Sequence, residues 1–161
     1  MTKAPSGISS PRPPKVLAVS SGGGHWAELM RLQPAWEGAD LTFVATDMGY
    51  RPDIPDTAGF CVLPDANKTR KVHLVWLALR AFWLVLRQRP DVVVSTGAAP
   101  GYFAIRFGKM LGARTIWIDS IANAEDMSLS GKLAEPYSDL WLTQWAHLAR
   151  DTRPGFVGAV L

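Results

Sequence analysis

A doubly wound, parallel α/β sheet of the Rossmann-like kind is the fold class this sequence predicts, on three observations. Short apolar runs alternate with stretches of helical periodicity through short loops, the pattern of a parallel sheet with crossover helices. Two of the runs end in glycine turns, Ser20-Ser21-Gly22-Gly23-Gly24-His25 and Thr96-Gly97-Ala98-Ala99-Pro100-Gly101. Hydrophobic residues make up 48% of the 161-residue chain, enough for one domain with its own core and too many for a disordered chain. That domain is assigned to residues 15–161, behind a flexible lead of residues 1–14 with four prolines and three serines.

The first strand is Val16-Leu17-Ala18-Val19, apolar at every position as a strand buried on both faces must be. Helical spacing follows at Trp26, Leu29, Met30 and Leu32. Leu41 to Ala45 reads as the second strand and Phe60 to Leu63 as the third, with a loop rich in Pro and Asp between them. Val72 to Arg89 is the strongest helix, apolar around almost its whole circumference, with a narrow polar stripe at His73, Arg80 and Arg87. Pro90 stops it. Asp91 to Ser95 is the fourth strand, and its glycine turn leads into a helix from Tyr102 to Leu111, with Gly112 as the C-terminal cap. Arg114 to Ile118 is the fifth strand, a short helix lies within Met127 to Glu135, and Leu140 to Thr143 is the sixth. A last short strand is expected from Gly155 to Val160.

Composition narrows the function. Net charge is +3 and the pI about 9.2, yet Lys and Arg form no long block, so no nucleic-acid partner is expected. The single Cys61 sits in a strand-like run and reads as core; no His/Cys cluster has metal-ligand spacing, and neither a metal nor a cofactor is expected. The N-terminus lacks the apolar segment of a signal peptide. No stretch reaches the ~18 uncharged apolar residues of a transmembrane helix.

Ligands of doubly wound sheets sit at the carboxyl ends of the strands, where this sequence places its unusual residues. Glycine turns leading into helices attract anions, above all phosphates, because no side chain keeps the ligand from the backbone. Ser21, Gly22, Gly23 and Gly24 on one turn and Thr96, Gly97 and Gly101 on the other are therefore the candidate diphosphate-binding residues. His25, at the start of a helix, is a candidate base, with a helix-capping or core histidine as the alternative. Asp119, after the fifth strand, is the carboxylate expected to face the same cleft, as a catalytic base or a sugar-hydroxyl ligand; its alternative is an N-cap or turn carboxylate. The helix from Val72 has more apolar surface than one sheet face covers and follows Lys68, Arg70 and Lys71. Trp76 and Trp83, seven residues apart, project from one side. These five residues are the expected peripheral membrane contact, with burial in the core alone or against a partner subunit as the alternatives.

The segments SSGGGHWAELM, STGAAPGYFAI, IDSIANAEDMSLSGKL and DLWLTQWAHLA resemble, in that order, the bacterial capsule and exopolysaccharide glycosyltransferase subunits. Those are relatives of the membrane-anchoring subunit of the eukaryotic dolichol-linked N-acetylglucosamine transferase. The resemblance runs from about Val16 to Ala149. It implies the N-terminal, acceptor-binding half of a GT-B glycosyltransferase, similar to the same half of the peptidoglycan lipid-linked GlcNAc transferase. It implies as partners a separate donor-binding subunit, which holds most of the UDP-sugar, and a polyprenyl-diphosphate-linked saccharide. It also implies a peripheral position at the cytoplasmic face of the inner membrane. The N-terminal anchor of the eukaryotic members is not expected here.

Two other classes stand beside this one. Gly22, Gly24 and Ala27, with Asp47 after the second strand, fit the G-x-G-x-x-G/A dinucleotide fingerprint of an NAD-dependent oxidoreductase. The third class is a subunit that activates a catalytic partner without chemistry of its own.

Overall fold

The computed structural model describes residues 12–65 and 71–160. Most of the lead, together with Lys68 and Arg70, lies outside the described residues. Six strands, β1 (Lys15–Val19), β2 (Asp40–Ala45), β3 (Gly59–Val62), β4 (Val92–Ser95), β5 (Arg114–Ile118) and β6 (Leu140–Leu142), form one sheet in the order β3-β2-β1-β4-β5-β6. Every pairing is parallel. The helices are α1 (Gly24–Arg31), α2 (Lys71–Gln88), α3 (Ala98–Met110) and α4 (Leu129–Ala134).

Alternation along the central strand divides the core between the two faces. Leu17 and Val19 pack with Leu77, Ala81 and Val85 of α2, Ala104 and Ile105 of α3 and the fully buried Trp117. Val16 and Ala18 point the other way, to Trp26 and Leu29 of α1 and to Phe43 and Ile54. Thus α1 and α3, which follow neighbouring strands, lie on opposite faces. Between β1 and β4 the chain reverses its winding, and a crevice opens at their carboxyl ends.

Two sequence-based expectations are corrected. The chain from Gly155 to Val160 is not a strand: a single parallel bridge joins Leu142 to Gly155. Further on, its bonds go to side chains, with Val160 N–H donating to Gln144 Oε1 at 2.8 Å. The helix after β4 begins at Ala98, not Tyr102. A first-turn N–H has no intrahelical acceptor, so Pro100 fits there without cost. Gly101 consequently lies inside α3, buried.

The apolar residues of α2 divide between two opposite sides, so the helix has more apolar surface than one sheet face covers, as its sequence predicts. Leu77, Ala81 and Val85 are buried, while Val72, Val75, Trp76, Leu79 and Trp83 form an exposed stripe. The sheet and α3 cover one side only.

The second glycine turn carries strain. Gly97 sits at φ 143° and Ala98 at φ 65°, and a Cβ in the left-handed region costs about 1 kcal/mol. Ala98→Gly is therefore expected to raise stability by up to about 1 kcal/mol in urea denaturation. A loss of stability would show that the turn is not strained at this position.

Candidate functional site

The two glycine turns meet across the crevice through two side chains, His25 and Thr96. His25 Nδ1 lies 3.0 Å from the Thr96 carbonyl, and Thr96 Oγ1 donates to the His25 carbonyl at 2.7 Å. A carbonyl only accepts, so Nδ1 carries the imidazole proton and Nε2 of the neutral ring keeps its lone pair. Nε2 has no partner among the described residues. The ring lies against Gly97, where an added Cβ would meet it at 2.6 Å. Glycine at position 97 thus makes room for His25.

Around the first turn the backbone is open. Gly23 has φ 66°, which favours glycine, and neither Gly23 nor Gly24 has any atom within 4 Å of where a Cβ would stand. The first N–H groups of α1, those of Gly24, His25 and Trp26, lack intrahelical acceptors. They carry the partial positive charge of the helix end. Ser21 is half-buried, its hydroxyl 3.4 Å from the Gly22 carbonyl.

The other candidates have structural duties. Asp119 is buried, and both of its oxygens are occupied. Oδ1 accepts from Trp117 Nε1 at 3.0 Å and Ser128 Oγ at 2.6 Å, and Oδ2 from Ser128 N–H at 2.8 Å. Ser128 in turn caps α4 by accepting from Gly131 N–H. A buried carboxylate requires such donors, so Asp119 holds the loop before α4, and its expected place as the catalytic base is corrected. Thr96 is fully buried, its hydroxyl spent on His25. Gly101 is a packing position, where a Cβ would stand 1.9 Å from Ser95 Oγ. Neither lines the crevice as a phosphate ligand would.

Two residues that sequence reasoning missed complete the site. Tyr50, on the 3-10 turn Met48–Asp53, accepts from Gly23 N–H at 2.8 Å, and its ring lies on Trp26 with centroids 5.0 Å apart. Its place just after β2, the neighbour of β1, is the signal that would have found it. Glu28 is buried, with Oε1 accepting from Ser120 Oγ at 2.7 Å and Oε2 from Gln144 Nε2 at 2.6 Å. Its spacing three residues after His25 puts it on the same side of α1. The dinucleotide reading finds less here. Asp47 Oδ1 is taken up by Gly49 N–H at 2.6 Å, and Tyr50 covers Gly22, at 2.4 Å from a Cβ built there. Among the described residues, no group of three or more His, Cys, Asp or Glu is arranged to hold a metal ion.

Fold and crevice together define a doubly wound, Rossmann-like α/β domain. The chain superposes on Acinetobacter baumannii MurG with a TM-score of 0.71 at 12% identity, covering 91% of this chain and 46% of that one. A UDP-GlcNAc 2-epimerase from Methanocaldococcus jannaschii follows at 0.59 and 11% identity, covering 80% and 39%. These are likenesses of fold, and the chain spans about half the length of MurG.

The chain belongs to the family described as Oligosaccharide biosynthesis protein Alg14 like, whose model matches residues 66–160. The UDP-N-acetylglucosamine transferase subunit ALG14 of Yarrowia lipolytica is 35% identical, the alignment covering 84% of this chain and 76% of the relative. Its Schizosaccharomyces pombe counterpart is 31% identical, covering 90% and 82%. That of Eremothecium gossypii is 28% identical, covering 92% and 81%. The eukaryotic side of the resemblance is thereby borne out, and the chain is related to glycosyltransferase subunits.

Proposed function

We propose that this chain is the acceptor-side subunit of a split GT-B glycosyltransferase. It would transfer a sugar from a UDP-sugar to a polyprenyl-diphosphate-linked saccharide, with the donor held mainly by a separate subunit. The single observation that carries the reading is His25, which joins both glycine turns through Nδ1 and leaves Nε2 bare beside the open first turn of α1. In this reading the acceptor's diphosphate sits on the N–H groups of Gly24 and His25. Nε2 removes the proton from the acceptor hydroxyl as that oxygen attacks C1 of the sugar. The C1–O bond to UDP breaks, and UDP leaves with the electron pair. The relatives' description as subunits supports a donor-binding partner. The polysaccharide context rests on the resemblance to capsule and exopolysaccharide subunits, and a peripheral position at the cytoplasmic face of the membrane on the exposed stripe of α2.

Gly24 supplies the test, because Gly23 at φ 66° would be strained by any side chain. Gly24→Val puts a branched side chain into open space in front of the N–H groups without touching the fold. Transfer from UDP-GlcNAc to a soluble prenyl-diphosphate saccharide, assayed with the partner subunit present, is expected to fall below detection. The thermal unfolding midpoint should stay unchanged. Acceptor affinity within a factor of about three, well under 1 kcal/mol, removes this turn from the site.

A further inference from the structure

The hydroxyl of Tyr50 has a bond to give that nothing in the described structure receives. Its oxygen accepts from Gly23 N–H at 2.8 Å, which uses one lone pair and leaves the O–H proton to be donated. No acceptor among the described residues takes it. The oxygen lies on the turn that leads into α1, bonded to the N–H of its N-cap residue Gly23. One contact holds the tyrosine ring and two hold its surroundings. Its ring lies on Trp26 with centroids 5.0 Å apart, Trp26 Nε1 donates to Asp53 Oδ2 at 2.8 Å, and Asp47 holds the start of the 3-10 turn through Gly49 N–H. Gly22 makes the approach possible, because any Cβ there would stand 2.4 Å from the hydroxyl. A side chain held this firmly at the N-cap of α1, with a hydroxyl proton still to give, can donate to an anionic oxygen bound at that turn.

We infer that Tyr50 is a ligand-binding residue of the crevice, its hydroxyl donating to a phosphate oxygen of the acceptor. This deepens the reading of the chain as the acceptor-side subunit and rests on it. The hydroxyl relays the backbone: Gly23 N–H polarises it, which strengthens the bond it gives to a charged oxygen. Phosphate oxygens of the prenyl diphosphate and of the UDP-sugar share this chemistry, and kinetics tell them apart. The residue binds and orients; the proton transfer of the reaction remains with His25.

Tyr50→Phe keeps the ring on Trp26 and removes only the hydroxyl. In the assembled transferase it is expected to raise KM for a soluble prenyl-diphosphate saccharide by about tenfold or more, as loss of a hydrogen bond to a charged oxygen does. Turnover at saturating acceptor and KM for UDP-GlcNAc should stay within about twofold. A rise confined to the UDP-GlcNAc KM overturns the assignment to the acceptor. A fall in turnover and thermal stability with neither KM changed makes the hydroxyl a structural prop and overturns the proposal. Gly24→Val measured alongside separates the two layers. If that variant abolishes acceptor use and Tyr50→Phe changes nothing, the inference about Tyr50 fails alone; if neither matters, the acceptor-site reading fails with it.

Discussion

Replacing His25 by alanine is expected to lower turnover of the assembled transferase by about a hundredfold or more, the usual contribution of a positioned general base. Two separate things are lost in that variant. One is the Nε2 lone pair; the other is the Nδ1 bond to the Thr96 carbonyl at 3.0 Å, which ties the two turns together. The second loss costs only about 1 kcal/mol of stability, yet it can loosen the crevice. His25→Asn tells them apart, because a side-chain amide can donate to Thr96 and offers no base. If the base is what matters, the asparagine variant stays as inactive as the alanine one, with normal KM values. Turnover restored by asparagine would make His25 a brace between the turns. Unchanged turnover in both variants would place the chemistry on the partner and leave this chain an activating subunit.

The fold was legible because burial on both faces leaves an unmistakable mark. Val16 to Val19 and Val92 to Val94 are apolar at every position, as only the central strands of a doubly covered sheet can be, and in the structure β1 and β4 are neighbours at its centre. The site was legible only in part. A glycine turn shows where a backbone is open, so Gly23, Gly24 and His25 were found at the crevice. What pattern reading cannot supply is the identity of a partner arriving from far along the chain. Asp119 looked available because Ser128, which occupies it, lies on the far side of a loop. Thr96 looked like a phosphate ligand because its partner, His25, is 71 residues away. Glu28 passed unnoticed because Gln144, 116 residues on, is what makes a buried carboxylate tolerable there. Gly101 misled for a different reason. Pro100 was read as part of the turn, whereas at the start of a helix proline loses nothing, and the glycine behind it serves close packing.

The exposed stripe of α2 leads to the other large effect. Replacing Trp76 and Trp83 by serine is expected to reduce binding to vesicles containing anionic lipid by tenfold or more. The two indoles are 53% and 66% exposed, so burial in the headgroup region removes apolar surface from water worth on the order of 1 kcal/mol for each. Val72, Val75 and Leu79 extend the same stripe, and beneath it a groove of about 590 Å³ runs between α2 and the edge strand β3. Lys71 lies at the start of the helix, Arg80 packs over Trp76 at 5.7 Å, and Arg87 lies farther along the groove. Basic groups near a surface contribute about 1 kcal/mol each with anionic lipids, so raised salt should weaken binding further. No described helix is long and apolar enough to cross a membrane. Because neither indole is part of the core, the double variant should unfold at the wild-type temperature. The rival occupant of the stripe is the donor-binding subunit. Co-sedimentation of the chain alone and of the assembled pair decides between them. If neither binds vesicles at low salt and the serine variants instead break up the pair, the stripe is a protein interface and the membrane contact is wrong.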